Sequence, residues 1–241
     1  MKKKFVQATL EYADLGKEVP SPYLRRSFNL ECKPEGATLK VCGLGFYRLF
    51  LNGKDITKGH LAPYISNPDH VCYYDEYDVG DMLIAGENVL GFRLGNGMMN
   101  SFGGGVWDFE KAPWRGAPRL AFELSAKCGN ESIFIDADEQ VLTHPSGILS
   151  DELRMGETYD ASREIHGWSD IGFDASGWTP AIAANSPKGV MKASDVEPIK
   201  VIKELSPVSV TEKDGGFIYD FGLNSAGVWR LRLKGEKGQR V

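Results

Sequence analysis

Hydrophobic residues recur at every second position along much of the chain. Leu39 and Val41 alternate with Thr38 and Lys40, and Leu90, Phe92 and Leu94 alternate with Val89, Gly91 and Arg93. Leu120, Phe122 and Leu124 alternate in the same way with Arg119, Ala121 and Glu123. Successive side chains of an extended strand point to opposite faces, so this period predicts strands with one face on a core. Phe46-Tyr47-Arg48-Leu49-Phe50-Leu51 is apolar everywhere except Arg48, as a central sandwich strand is.

The punctuation between these runs agrees. Asn52-Gly53 follows a strand directly, and both residues tolerate the positive φ of a two-residue hairpin turn. Gly86-Glu87-Asn88 predicts a turn before Val89–Leu94, and Gly215-Gly216 a hairpin between Val208–Val210 and Phe217–Tyr219. Helical signal is limited to single turns at Asp81–Ala85 and Asp174–Trp178. Many short strands with turns between them predict an all-β, antiparallel jelly-roll sandwich.

Two stretches break the alternation. Gly95–Gly116 is rich in Gly and Asn and carries Phe102, Trp107, Phe109 and Trp114, the composition of a long binding loop. Ala181–Pro198, with Asn185-Ser186-Pro187 and Glu197-Pro198, reads as a linker. Alternation resumes at Phe217, Tyr219 and Phe221, then at Trp229, Leu231 and Leu233. The expected organisation is a sandwich domain over 1–190 and a small, incomplete second β block of about four strands over 191–241.

Charge narrows the partners. Lys and Arg number 28 against 33 Asp and Glu, a formal net charge of −5. Nucleic-acid binders draw much of their affinity from basic patches, and the basic runs here, Lys2–Lys4 and the Arg230/Arg232/Lys234 alternation, are short, so no nucleic-acid partner is expected. The residues after Lys2–Lys4 are too polar for a signal-peptide core, and no run nears the ~18 apolar residues of a membrane span, so no membrane partner and a cytoplasmic location are expected. The 4 cysteines, Cys32, Cys42, Cys72 and Cys128, form no CxxC pair or Cys/His cluster and read as buried reduced thiols; a bridge such as Cys32–Cys42 stays open.

Candidate chemistry is sparse. His60, His70, His144 and His166 fall in loops with no nucleophile elbow nearby. Gly103-Gly104-Gly105 lacks the Lys-Ser/Thr partner and following helix of a phosphate loop. Asn67 and Asp69 are two oxygen donors, far short of a full calcium shell, so no cofactor is expected, with calcium as the alternative. A sugar offers apolar faces for aromatic rings and hydroxyls for amides or carboxylates. The expected sugar contacts are therefore Asn96, Asn100, Trp107, Asp108 and Trp114, with capping of the sandwich as the competing role for the tryptophans.

Five segments, in order, resemble the N-terminal domain of bacterial α-L-rhamnosidases. They are Gly43–Lys54; Tyr77-Asp78-Val79 with Gly86–Gly91 and Leu94–Gly97; Gly156-Glu157-Thr158-Tyr159-Asp160-Ala161; Gly167-Trp168 with Gly172-Phe173-Asp174 and Ser176-Gly177-Trp178; and Tyr219–Gly227. Segments like LNG and GEN also occur in galactose-binding-like domains. The resemblance implies an accessory region of an enzyme that hydrolyses terminal α-L-rhamnose with inversion, acting on rhamnosylated glycans. It implies a catalytic helical barrel elsewhere in the polypeptide. Inversion needs an acid and a base flanking the bond, and the family carries both in that barrel, so no catalytic residue is expected here. Glu157, Tyr159 and Asp160 are expected at an interface or beside a site. The alternatives are a free-standing carbohydrate-binding module and an interaction domain pairing through a sheet edge.

Overall fold

The computed structural model describes residues 1–103 and 108–240. Its strands, in order, are β1 (Phe5–Gln7), β2 (Pro22–Leu30), β3 (Gly36–Leu44), β4 (Phe46–Leu51), β5 (Lys54–Asp55) and β6 (Val71–Asp78). Next come β7 (Gly86–Gly95), β8 (Arg119–Cys128), β9 (Glu131–Asp136), β10 (Leu142–Pro145), β11 (Ile148–Glu152) and β12 (Gly156–Tyr159). The last are β13 (Thr179–Pro180), β14 (Ile182–Ala184), β15 (Val190–Ala193), β16 (Ser209–Lys213) and β17 (Gly216–Asp220).

One sheet runs β14-β1-β8-β3-β6-β15, with β9 also on β8; the other runs β13-β10-β2-β7-β4-β5. Every pairing is antiparallel except β15 on β6. Between the sheets lie the alternating residues named above. Leu39 and Val41 of β3, Leu90, Phe92 and Leu94 of β7, and Leu120, Phe122 and Leu124 of β8 are all buried. Phe92 stacks on Phe122 at 5.1 Å, joining the two layers. Each such side chain contributes roughly 1.5–3 kcal/mol by leaving water.

Asn52 and Gly53 both take positive φ, 50° and 82°, and turn β4 into β5 as expected. The Asn52 amide also donates to Asn88 Oδ1 at 3.0 Å while its oxygen accepts from Val89 N at 2.8 Å, tying the turn to β7.

Aromatic residues cover the outer face of the six-stranded sheet. Trp168 stacks on Tyr23 at 4.4 Å and meets Phe50 edge-on, and Trp178 packs beside them. Gly91 makes room: a Cβ there meets Trp168 Cζ3 and Ser169 Cβ at 2.8 Å. Buried Arg25 donates to the Trp168 carbonyl at 3.2 Å and the Asp170 carbonyl at 2.9 Å, fixing this cover.

Several expectations change. Ala181–Pro198 is not a plain linker, because β14 pairs with β1 and β15 with β6. Those pairings keep residues 190–193 with the sandwich, so the chain divides at Pro198/Ile199 rather than at 190/191. Cys32 bonds to Cys128, with Cα atoms 5.9 Å apart, while Cys42 and Cys72 are the buried free thiols. The bridge fastens the chain leaving β2 to the end of β8, one from each sheet. Cys42 faces away on β3, in a small apolar cluster with Phe5, Leu44 and Cys72.

The unit of residues 199–241 contains the expected hairpin, β16 and β17, turning at Asp214 and Gly215. The alternation at Trp229–Leu233 forms no strand. Alternation makes a strand only where a neighbour supplies hydrogen-bond partners, and the described residues of this unit supply none there.

Candidate functional site

The loop after β7 and the β11–β12 hairpin bring most of the expected site residues to one end of the sandwich. Asn96 donates from its backbone to Asp151 Oδ2 at 2.7 Å and from its amide to Asp151 Oδ1 and O at 3.1 and 2.9 Å. Its own side-chain oxygen accepts from Asn100 Nδ2 at 3.2 Å. Asn100 is fully buried, donates to the Ala13 carbonyl at 3.0 Å and accepts from Arg115 Nε at 2.8 Å. Both amides are thus spent on holding the loop, as buried polar groups must be.

A second pin lies alongside. Ser101 Oγ donates to Glu152 Oε1 at 2.5 Å, and Arg154 N and Met155 N donate to Glu152 Oε2 at 2.6 and 3.0 Å. Burial pushes the Glu152 carboxyl up, but these hydrogen bonds outweigh it and hold the group below its ordinary range. Asp151 shows the opposite balance. Burial raises it, only partly countered by hydrogen bonds from Asn96 and from Ser21 Oγ at 2.9 Å.

Trp114 packs against the cluster of Phe5, Cys42, Leu44, Met99 and Ala121, the capping role. Asp108 is exposed, takes φ 51° and pairs with Lys111 at 3.0 Å. Gly104, Gly105 and Trp107 lie outside the described residues.

On the hairpin, Glu157 stands directly opposite Asp151. Partial burial raises the Glu157 carboxyl, Arg93 draws it back down, and Asp151 adds to the rise. Tyr159 and Tyr23 donate to the two oxygens of Glu164, at 3.0 and 2.8 Å. Burial, then Glu164, pushes the Tyr23 phenol well above its ordinary value. Asp160 caps a short turn, accepting from Ser162 N and Oγ at 3.0 and 2.7 Å, and pairs with Arg163.

An opposed carboxyl pair invites a hydrolytic reading, and the geometry argues against it. Asp151 is committed to three donors. Asn67 and Asp69 close a turn, with Asp69 N donating to Asn67 Oδ1 at 2.9 Å and Lys188 N reaching Asp69 Oδ1 at 3.4 Å. Two side chains remain well short of the six to eight oxygens calcium takes, and no cluster of three or more His, Cys, Asp or Glu occurs among the described residues.

Arg93, Arg115, Asp151 and Glu152 organise this end and were not singled out in the sequence. An arginine on the outward register of an apolar strand, and another inside an aromatic loop, were the available signals.

The fold defines a two-sheet, almost wholly antiparallel β-sandwich module. A family model described as "Alpha-L-rhamnosidase N-terminal domain" matches residues 32–203, and the chain belongs to this family. An α-L-rhamnosidase of Formosa agariphila is 34% identical over 91% of this chain but only 23% of its own length, and one of Streptomyces avermitilis is 32% identical over 90% of the chain and 21% of its own. The chain therefore spans between a fifth and a quarter of these relatives. The solved Streptomyces avermitilis α-L-rhamnosidase complexed with L-rhamnose superposes with a TM-score of 0.77 at 30% identity, covering 85% of this chain and 20% of that one. The Aspergillus terreus enzyme superposes with a TM-score of 0.82 at 25% identity over 92% and 26%.

Proposed function

We propose that this polypeptide is the accessory region of an α-L-rhamnosidase, supporting a catalytic domain carried elsewhere in the same chain and serving rhamnosylated glycans through that enzyme. The carrying observation is the coverage: the chain aligns over nine-tenths of itself with relatives several times its length. The exposed apolar side chains of the second unit, Val210, Phe217, Ile218, Trp229, Leu231 and Leu233, support it. A two-stranded hairpin cannot bury them, and further strands of a continuing β domain can. Any sugar contact by the loop after β7 runs through side chains other than the amides of Asn96 and Asn100, which are occupied.

No helix among the described residues is long and apolar enough to cross a membrane. The Cys32–Cys128 bridge favours an oxidising compartment over the cytoplasmic location read from the sequence. The test is the reading frame past Val241. A following segment encoding further β strands and a helical barrel, with rhamnose release by the extended polypeptide, supports the assignment. A stop codon there, with no such segment, contradicts it.

A further inference from the structure

An open groove of about 590 Å³ crosses the outer face of the seven-stranded sheet, a size usual for ligand sites. It spans four neighbouring strands, β6, β3, β8 and β9, and is lined by residues 36–38, 76–78, 125–127 and 132–134. The middle residue of each triplet, Ala37, Tyr77, Ala126 or Ile133, belongs to the core, so its neighbours face outward. Pairing register sets a row straight across the sheet: Asp78 opposite Thr38, Thr38 opposite Ser125, and Ser125 opposite Phe134. A parallel row sets Gly36 opposite Lys127 and Lys127 opposite Ser132.

Two features separate this surface from an ordinary solvated face. Phe134 is 62% exposed and, among the described residues, has no aromatic partner. The side chains of Thr38, Ser125, Ser132 and Lys127 likewise have no hydrogen-bond or ion-pair partner among the described residues. The adjacent row is salt-bridged, Lys40 to Glu76 within it at 3.2 Å and Asp136 to Lys4 from outside it at 2.9 Å. Nothing lies within 4 Å of a Cβ placed on Gly36, which leaves the floor open.

We propose that this groove binds a neutral oligosaccharide, with Phe134 stacking on a sugar ring and Thr38, Ser125, Asp78 and Lys127 pairing with hydroxyls. The proposal rests on the accessory reading above. Charge selects the occupant. Glu76 is neutralised by Lys40, and Asp78 and Lys127 balance each other, so neither a polyanion nor a polycation is attracted. An added peptide strand pairs along a sheet edge, whereas this groove runs across the sheet's face over four strands and meets free edges only at its two ends, β9 and the part of β6 beyond Tyr74. Three strand spacings of ~4.8 Å make the row about 14 Å long, which suits a short oligosaccharide better than one ring.

The test is amide NMR on the ¹⁵N-labelled full chain, titrated separately with α-linked rhamnotriose, cellotriose and trigalacturonate. At least one neutral trisaccharide is expected to shift amides around Thr38, Ser125 and Phe134. Phe134→Ala is expected to weaken binding roughly five- to tenfold, as is Ser125→Ala, each with an unchanged circular dichroism spectrum. Shifts confined to residues 96–114, tighter binding of trigalacturonate, or no shift with any of the three at millimolar concentration overturns the proposal. Those results leave the accessory reading standing, because that reading fails on the reading frame and on hydrolysis instead.

Discussion

Glycine 91 illustrates how one position decides a face. Its missing side chain lets Trp168 lie flat on β7, and a methyl group there sits 2.8 Å from two heavy atoms. Gly91→Ala is expected to cost about 1–3 kcal/mol by overpacking, seen as a lower urea midpoint with an unchanged slope. Glu152 sets a different test. Its carboxyl is held below the ordinary value, so the folded state binds a proton less readily than the unfolded chain. Its stabilisation is therefore complete above the unfolded value, about pH 4.3, and is lost as pH falls through the depressed folded value. The stability gap between the native chain and Glu152→Gln is expected to be widest near neutrality and to narrow below about pH 4. A gap that stays constant from pH 7 to pH 3 in urea titrations contradicts this.

At the scale of elements, local signals were legible and distant ones were not. The period-two runs of β3, β7 and β8 and the Asn52-Gly53 turn rest on neighbouring residues, and each appears where expected. β14 and β15 were hidden because they lie on β1 and β6, more than a hundred residues away, and their own composition is that of a linker. The alternation at Trp229–Leu233 has no partner strand among the described residues to hold it. The polar end of the sandwich was half legible: Asn96 and Asn100 stood out by composition, but Asp151 is 55 residues from Asn96. Spacing alone likewise gave no way to join Cys32 to Cys128 across a separation of 96 residues. Because that bridge ties the chain leaving one sheet to the end of a strand of the other, replacing both cysteines with serine is expected to lower stability by about 2–5 kcal/mol. Thiol titration of the unfolded, unreduced chain is expected to count two free groups, Cys42 and Cys72; four contradicts the bridge.

On the scale of the whole molecule, the two units differ in what they bury. Residues 1–198 enclose a two-layer core with an aromatic cover on one side, whereas residues 199–241 expose nearly every large apolar side chain they carry. The first unit expressed alone is expected to unfold in one cooperative transition, and a peptide of the second to show no thermal transition by circular dichroism. A sandwich that spends the Asp151 carboxyl on holding Asn96 and Ser21 in place suits a supporting role.

Incubation of the purified 241-residue chain with p-nitrophenyl α-L-rhamnopyranoside bears on that conclusion most directly. No p-nitrophenol above a buffer control is expected at any pH between 4 and 8, about the span over which carboxyl pairs act as acid and base. Sustained turnover by this chain, abolished by Glu157→Gln, contradicts it.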